Sequence, residues 1–153
     1  MGLDMYLKAE RYVGGWEHNG DEAVERFNRV VDDAGLSGLA TRESPSATVT
    51  INVAYWRKDN QIHAWFVDNV QDGVDECKRT YVERDQLAEL LELCKRARAD
   101  RDPELLPPRD GFFFGGTAID EWYWKGIDVT VVQLEHVLAK LPADATLYYE
   151  SSW

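Results

Sequence analysis

The chain is short of the residues that most catalytic and metal-binding proteins are recognised by. It holds two cysteines, Cys77 and Cys94, and three histidines. There is no CxxC pair and no Cys/His cluster, so disulfide-framework and zinc-finger classes are excluded and a reducing compartment is the expectation. Basic residues are outnumbered, 17 against 28 acids, which leaves a formal net charge of −11. The acids recur over residues 22–33, 68–76, 83–92 and 100–104. A field of that sign disfavours direct binding to nucleic acid or to an anionic membrane. It keeps the chain soluble, or it suits a basic or nucleic-acid-binding partner.

Long apolar runs are missing too. The longest, residues 111–119, is far too short to span a bilayer. The start, Met1-Gly2-Leu3-Asp4, lacks the basic region of a signal peptide, and Tyr6 stands where myristoylation needs Ser or Thr. A cytoplasmic protein is expected. Phosphate-binding GxxxxGK[ST], dinucleotide GxGxxG, hydrolase GxSxG, zinc-protease HExxH and EF-hand patterns are all absent, and no cofactor or metal is implied. Only enzymes assembled from dispersed residues remain open.

What is present is a globular profile, 44% hydrophobic and 29% charged, at a length that favours a single domain over residues 1–153. Residues 3–13 alternate apolar and polar side chains, as do 47–53 and 146–153, and each reads as a strand. Residues 77–82 make a weaker strand. Residues 111–116, GFFFGG, read as a short strand buried on both faces. Helical spacing predicts helices over 21–36, with Gly35 beyond its end, and over 84–98, where Leu87, Leu90, Leu91 and Cys94 form a stripe. Residues 119–125 favour helix, and a separate helical run follows in which Asp128 or Thr130 serves as the cap. The fold expected is α+β: one mixed or mainly antiparallel sheet of about five strands with four or five helices packed on it. A doubly wound parallel sheet is the alternative.

The richest stretch is 54–73, AYWRKDNQIHAWFVDNVQDG. No other segment gathers as many aromatic and hydrogen-bonding groups. Placed on one helix, Tyr55, Ile62 and Phe66 form a core line. Arg57, Gln61, Ala64 and Asp68 form a solvent face, and Trp56, Asn60, His63 and Val67 form a third stripe. That third stripe is either a second buried face, with Asn60 and His63 bonded locally, or the wall of a pocket. Lys58 borders the core face and snorkels. His63 is the one histidine placed to act as a general base, and so the best catalytic candidate. His136 lies opposite its helix's apolar stripe, and His18 sits in a loop where the spacing carries little metal signal. A second constellation is Asp120-Glu121-Trp122-Tyr123, whose aromatics suit a planar ligand or a partner. Its neighbouring carboxylates point to different sides of a helix and make no acid/base pair. A core helix with two charges at its start accounts for the same residues.

In MGLDMYL, in Tyr55-Trp56-Arg57-Lys58, in Asn60-Gln61-Ile62-His63 with Trp65-Phe66-Val67, in Gly111-Phe112-Phe113-Phe114-Gly115 and in Glu150-Ser151-Ser152-Trp153, the chain resembles a family of small uncharacterised proteins of bacteria, phages and prophages. The resemblance covers most of residues 3–153 apart from 17–46 and carries no activity with it. It implies an accessory protein acting in a host cytoplasm. Three functions are therefore open. The first is an acidic protein that binds, and in the strongest form inhibits, a host protein. The second is a small-molecule binder or small enzyme with a pocket around Trp56, Asn60 and His63, closed by Trp122 or Tyr123. The third is a subunit of an oligomer that uses exposed aromatics such as Trp153.

Overall fold

The structure is a computed structural model and describes residues 2–153. Among them, four strands and four helices follow one another: β1 (Asp4–Gly14), α1 (Asp21–Asp33), β2 (Ser46–Arg57), α2 (Asn60–Val70), β3 (Thr80–Val82), α3 (Arg84–Asp100), α4 (Glu121–Lys140) and β4 (Thr146–Ser152). The strands form one antiparallel sheet in the order β2-β1-β4-β3, so the fold is α+β and not doubly wound. At the β3 edge Tyr81 lies opposite Tyr148 and Val82 opposite Leu147.

The described residues divide into two compact units, residues 2–9 with 52–153, and residues 10–51. In the larger unit the alternation of the strands decides the core. Leu3 just before β1, Met5 and Leu7 of β1, Trp56 of β2 and Leu147 and Tyr149 of β4 all join one core. There they meet Ile62 and Phe66 of α2, Leu87, Leu90 and Cys94 of α3, and Ile127 and Leu134 of α4. Phe66 and Tyr149 stack with ring centres 3.9 Å apart. Burial pushes the Cys94 thiol up to about 12, the mark of an inert core cysteine. Helix α3 begins with a reciprocal cap between Glu83 and Gln86.

In the smaller unit α1 packs Phe27 and Val31 on Val13. A side chain at Gly15 would stand 2.6 Å from the Phe27 ring, so that approach needs glycine. Gly35, at φ 71°, ends the helix as expected, and the Leu36 N–H donates to the Val31 carbonyl at 2.7 Å.

Four expectations are corrected. First, the helix of the central stretch begins at Asn60, because β2 runs on through Arg57 and Lys58 then takes a left-handed conformation, φ 61°. Tyr55 and Trp56 therefore obey period two. Trp56 is 1% exposed, whereas Tyr55, assigned to the core line, is 43% exposed. The supposed solvent face of α2 is largely inside, since Gln61 and Ala64 are buried. Second, residues 111–116 form no strand. The Phe114 N–H closes a turn onto the Gly111 carbonyl, the Leu3 N–H donates to Phe113, and Phe112 is 93% exposed. Third, α4 is one unbroken helix with Asp120 as its cap, so neither Asp128 nor Thr130 caps a helix. Thr130 is buried, accepts the Trp56 indole N–H at 2.8 Å and donates to the Gly126 carbonyl at 2.7 Å. Fourth, β3 begins at Thr80, leaving Cys77 outside it and exposed. The sheet accordingly has four strands where about five were expected.

No helix among the described residues is long and apolar enough to cross a membrane.

Candidate functional site

Helix α2 is flanked by two polar assemblies of opposite character. The first is closed. His63 is fully buried, with Nδ1 2.6 Å from the Tyr149 hydroxyl and Nε2 3.0 Å from Asp75 Oδ1. A carboxylate can only accept, so Nε2 carries the proton and Nδ1 accepts the Tyr149 O–H. Burial holds Tyr149 well above its ordinary value, keeping that O–H in place, and burial also lowers His63, with Asp75 opposing. Beyond Asp75, Arg109 lies with Nε at 3.7 Å from Asp75 and Nη1 at 3.2 Å from Asp68. The Arg109 N–H donates to Asn60 Oδ1 at 3.2 Å, and the Asn60 amide donates to the carbonyls of Phe114 and Gly116 at 3.1 and 2.9 Å. Asn60 thereby pins the long connection between α3 and α4 over the start of α2. This assembly satisfies its own polar groups and leaves His63 no open side.

The second is a cleft of about 460 Å³ where the end of β2, the first turns of α2 and α4 and the α3–α4 connection meet. Lys58, Asp59, Asn60 and Gln61 line one side, Asp120, Trp122, Tyr123, Lys125 and Gly126 another. Asp59 gives it its chemistry. Burial raises this carboxyl from 3.8 to about 6, against hydrogen bonds from the Gln61 side chain and the Arg57 backbone. It lies pressed against α4, for a side chain at Gly126 would fall 1.8 Å from Asp59 Oδ1 and 2.9 Å from Gln61 Nε2. Glycine inside a helix costs about 1 kcal/mol against alanine, and here it opens the space the carboxyl occupies.

Gly126→Ala is therefore expected to destabilise the protein by about 1 kcal/mol, overpacking outweighing the helical gain. In an Asp59→Ala background the same change should be neutral or stabilising. Urea unfolding of the four proteins of the cycle measures this, and an unchanged Gly126→Ala effect in the double variant would show that the two side chains do not compete for space.

Of the residues singled out from the sequence, Lys58, Asn60, Asp120, Trp122 and Tyr123 line the cleft. Trp56 and His63 belong to the core, and Glu121 is exposed beside the cleft without lining it. The Asp120 carboxylate caps α4, accepting the N–H groups of Trp122 and Tyr123 at 3.0 and 3.1 Å. Tyr123 is largely core, its hydroxyl donating to the Leu106 carbonyl at 2.9 Å, while Trp122 is 65% exposed at the rim. His18 and His136 are exposed. Among the described residues no three His, Cys, Asp or Glu side chains are grouped to hold a metal ion.

Sequence reasoning missed Asp59, Gln61, Lys125 and Gly126. Signals existed for Asp59 and Gly126 alone. Asp immediately before an apolar helical run is a cap-type residue, and an isolated glycine within a helical pattern marks a close approach. Comparison with protein-family models, with curated proteins and with solved structures found no match for this chain.

Proposed function

We propose that the protein binds a small organic molecule in the cleft beside Asp59. The supporting observation is the Asp59 carboxyl itself. It is held partly desolvated against Gly126, with its ionisation moved to about 6. A carboxyl that serves only the fold gains nothing from such a position, whereas a desolvated acid lining a cleft is a mark of a ligand site. The rim supplies the rest of a binding site, with the exposed Trp122 ring as an apolar platform and the Gln61 amide beside the acid. The reading as an acidic accessory protein that docks on a host protein draws support from the net charge of −11 alone.

The test is a fragment screen on ¹⁵N-labelled protein. Binding fragments are expected to move the amide signals of Asn60, Gln61 and Gly126, and Trp122→Ala is expected to weaken them about tenfold while leaving the spectrum folded. A screen whose hits move only other regions, or which yields no hits, overturns the proposal.

A further inference from the structure

The cleft's charged groups differ in how far they are already engaged. Arg57 pairs with Asp4, Nη1 to Oδ1 3.3 Å, and the Asp120 carboxylate is occupied by the α4 cap. Lys58 and Lys125 are not engaged in this way. Among the described residues neither makes an ion pair, and the Lys125 ammonium stands 5.0 Å from the centre of the Trp122 ring. Neither lysine offsets the Asp59 carboxyl, whose raised value reflects burial opposed only by Gln61 and the Arg57 backbone. Two lysines without an ion-pair partner therefore line the same cleft, in a chain whose net charge is strongly negative.

Lys58 is also a positioned lysine. Its backbone is left-handed, a conformation that residues other than glycine rarely adopt, and its N–H is fixed on the Leu3 carbonyl at 2.8 Å. Its stem runs between two glycines. A side chain at Gly115 would lie 3.3 Å from Lys58 Cβ, and one at Gly2 would lie 3.2 Å from Cε. A left-handed conformation of this kind persists only where the surrounding contacts hold it.

Resting on the cleft as the ligand site, we infer that its ligand is a small organic anion. Its carboxylate or phosphate is held by Lys58 and Lys125, and its flat apolar part lies on Trp122. Lysine recognises either anion as a point charge, so the two headgroups share one chemistry.

The experiment uses matched probes that differ only in charge: phenylacetate against phenylacetamide, and phenyl phosphate against phenol. Each is titrated at pH 7.5 and low salt with the cleft amides as the readout. The anions are expected to bind at least about tenfold more tightly than their neutral partners, and added salt should reduce the difference. Lys58→Met with Lys125→Met, which keeps both stems, is expected to abolish most of that preference. Lys58→Arg with Lys125→Arg should retain it, which controls for folding. Asp59→Asn, which removes a negative charge from the cleft, should strengthen the anions. The stronger of the two acids then identifies the headgroup. Equal binding of acids and neutral partners at the cleft, or cleft binding by neutral or cationic fragments alone, overturns the anion inference and leaves the cleft standing as a binding site. Absence of any response at the cleft, from probes and fragments together, overturns the cleft reading itself.

Discussion

Replacing His63 by alanine is expected to cost about 3–5 kcal/mol of folding stability, measured by urea unfolding at pH 7.5. The side chain is fully buried, and its ring lies 5.0 Å from Phe114, edge to face. Its loss leaves a cavity, a Tyr149 hydroxyl without its acceptor and an Asp75 carboxylate without its donor. Tyr149→Phe removes only the first hydrogen bond and should cost about 1–2 kcal/mol. A His63→Ala protein within about 1 kcal/mol of the wild type, yet unable to bind cleft ligands, would return His63 to the functional site. The pH dependence has a definite sign. Burial lowers His63 from 6.5, so the folded state favours the neutral ring. Its contribution is fully present above 6.5 and is lost as pH falls toward the depressed value. Substitution of His63 should remove that acid-side loss.

Asp59→Asn is expected to act in the opposite direction. The wild-type carboxyl ionises near 6 in the folded chain instead of 3.8, so the folded state favours the protonated acid. The stability it contributes is fully present below 3.8 and is lost as pH rises through about 6. At about 1.4 kcal/mol per unit the limit is about 3 kcal/mol. Asp59 is partly open to solvent, so about 2 kcal/mol is the expected gain of the variant at pH 8, fading to nothing below pH 4. Asparagine keeps an acceptor for the Gln61 amide and the Arg57 N–H, so the comparison isolates the charge. Thermal unfolding of both proteins across this range provides the measurement. A variant no more stable than wild type at pH 8 would mean that the carboxylate is not destabilised in the fold, and the main support for the cleft would be gone. A stabilising substitution at a polar position is the usual sign of a residue retained for binding and not for folding.

The opposite fates of His63 and Asp59 follow from where α2 begins. Period two in β2 and period 3.6 in α2 were both legible, but the junction between them was not, because Trp56 and Tyr55 suit either element. Extending the helix back to residue 54 turned Trp56, Asn60 and His63 into one stripe and left Asp59 without a role. With the junction at Lys58, Trp56 enters the core from the strand and Asp59 moves to the helix entrance. A helix buried on all but its Asp68–Asn69 corner, as α2 is, offers no polar stripe from which to read a pocket. Likewise α4 read as two helices because Asp128 and Thr130 look like caps. The tertiary role of Gly126, making room for a carboxyl from another element, leaves no periodic mark.

Local chemistry by itself determined the α+β class, the inward faces of β1 and β4, the leucine stripe and inert thiol of α3, the Gly35 stop and the exposure of His136. Each of these depends on side-chain periodicity or on one residue's backbone preference, which the neighbours in sequence fully specify. The tertiary structure alone decided that His63 is closed into a Tyr149–Asp75 network, that GFFFGG turns instead of pairing, and that Asp59, Lys58 and Lys125 share one cleft. Those outcomes depend on which distant segments meet. Burial, ionisation and the availability of a charge are properties of that meeting and not of any residue taken singly.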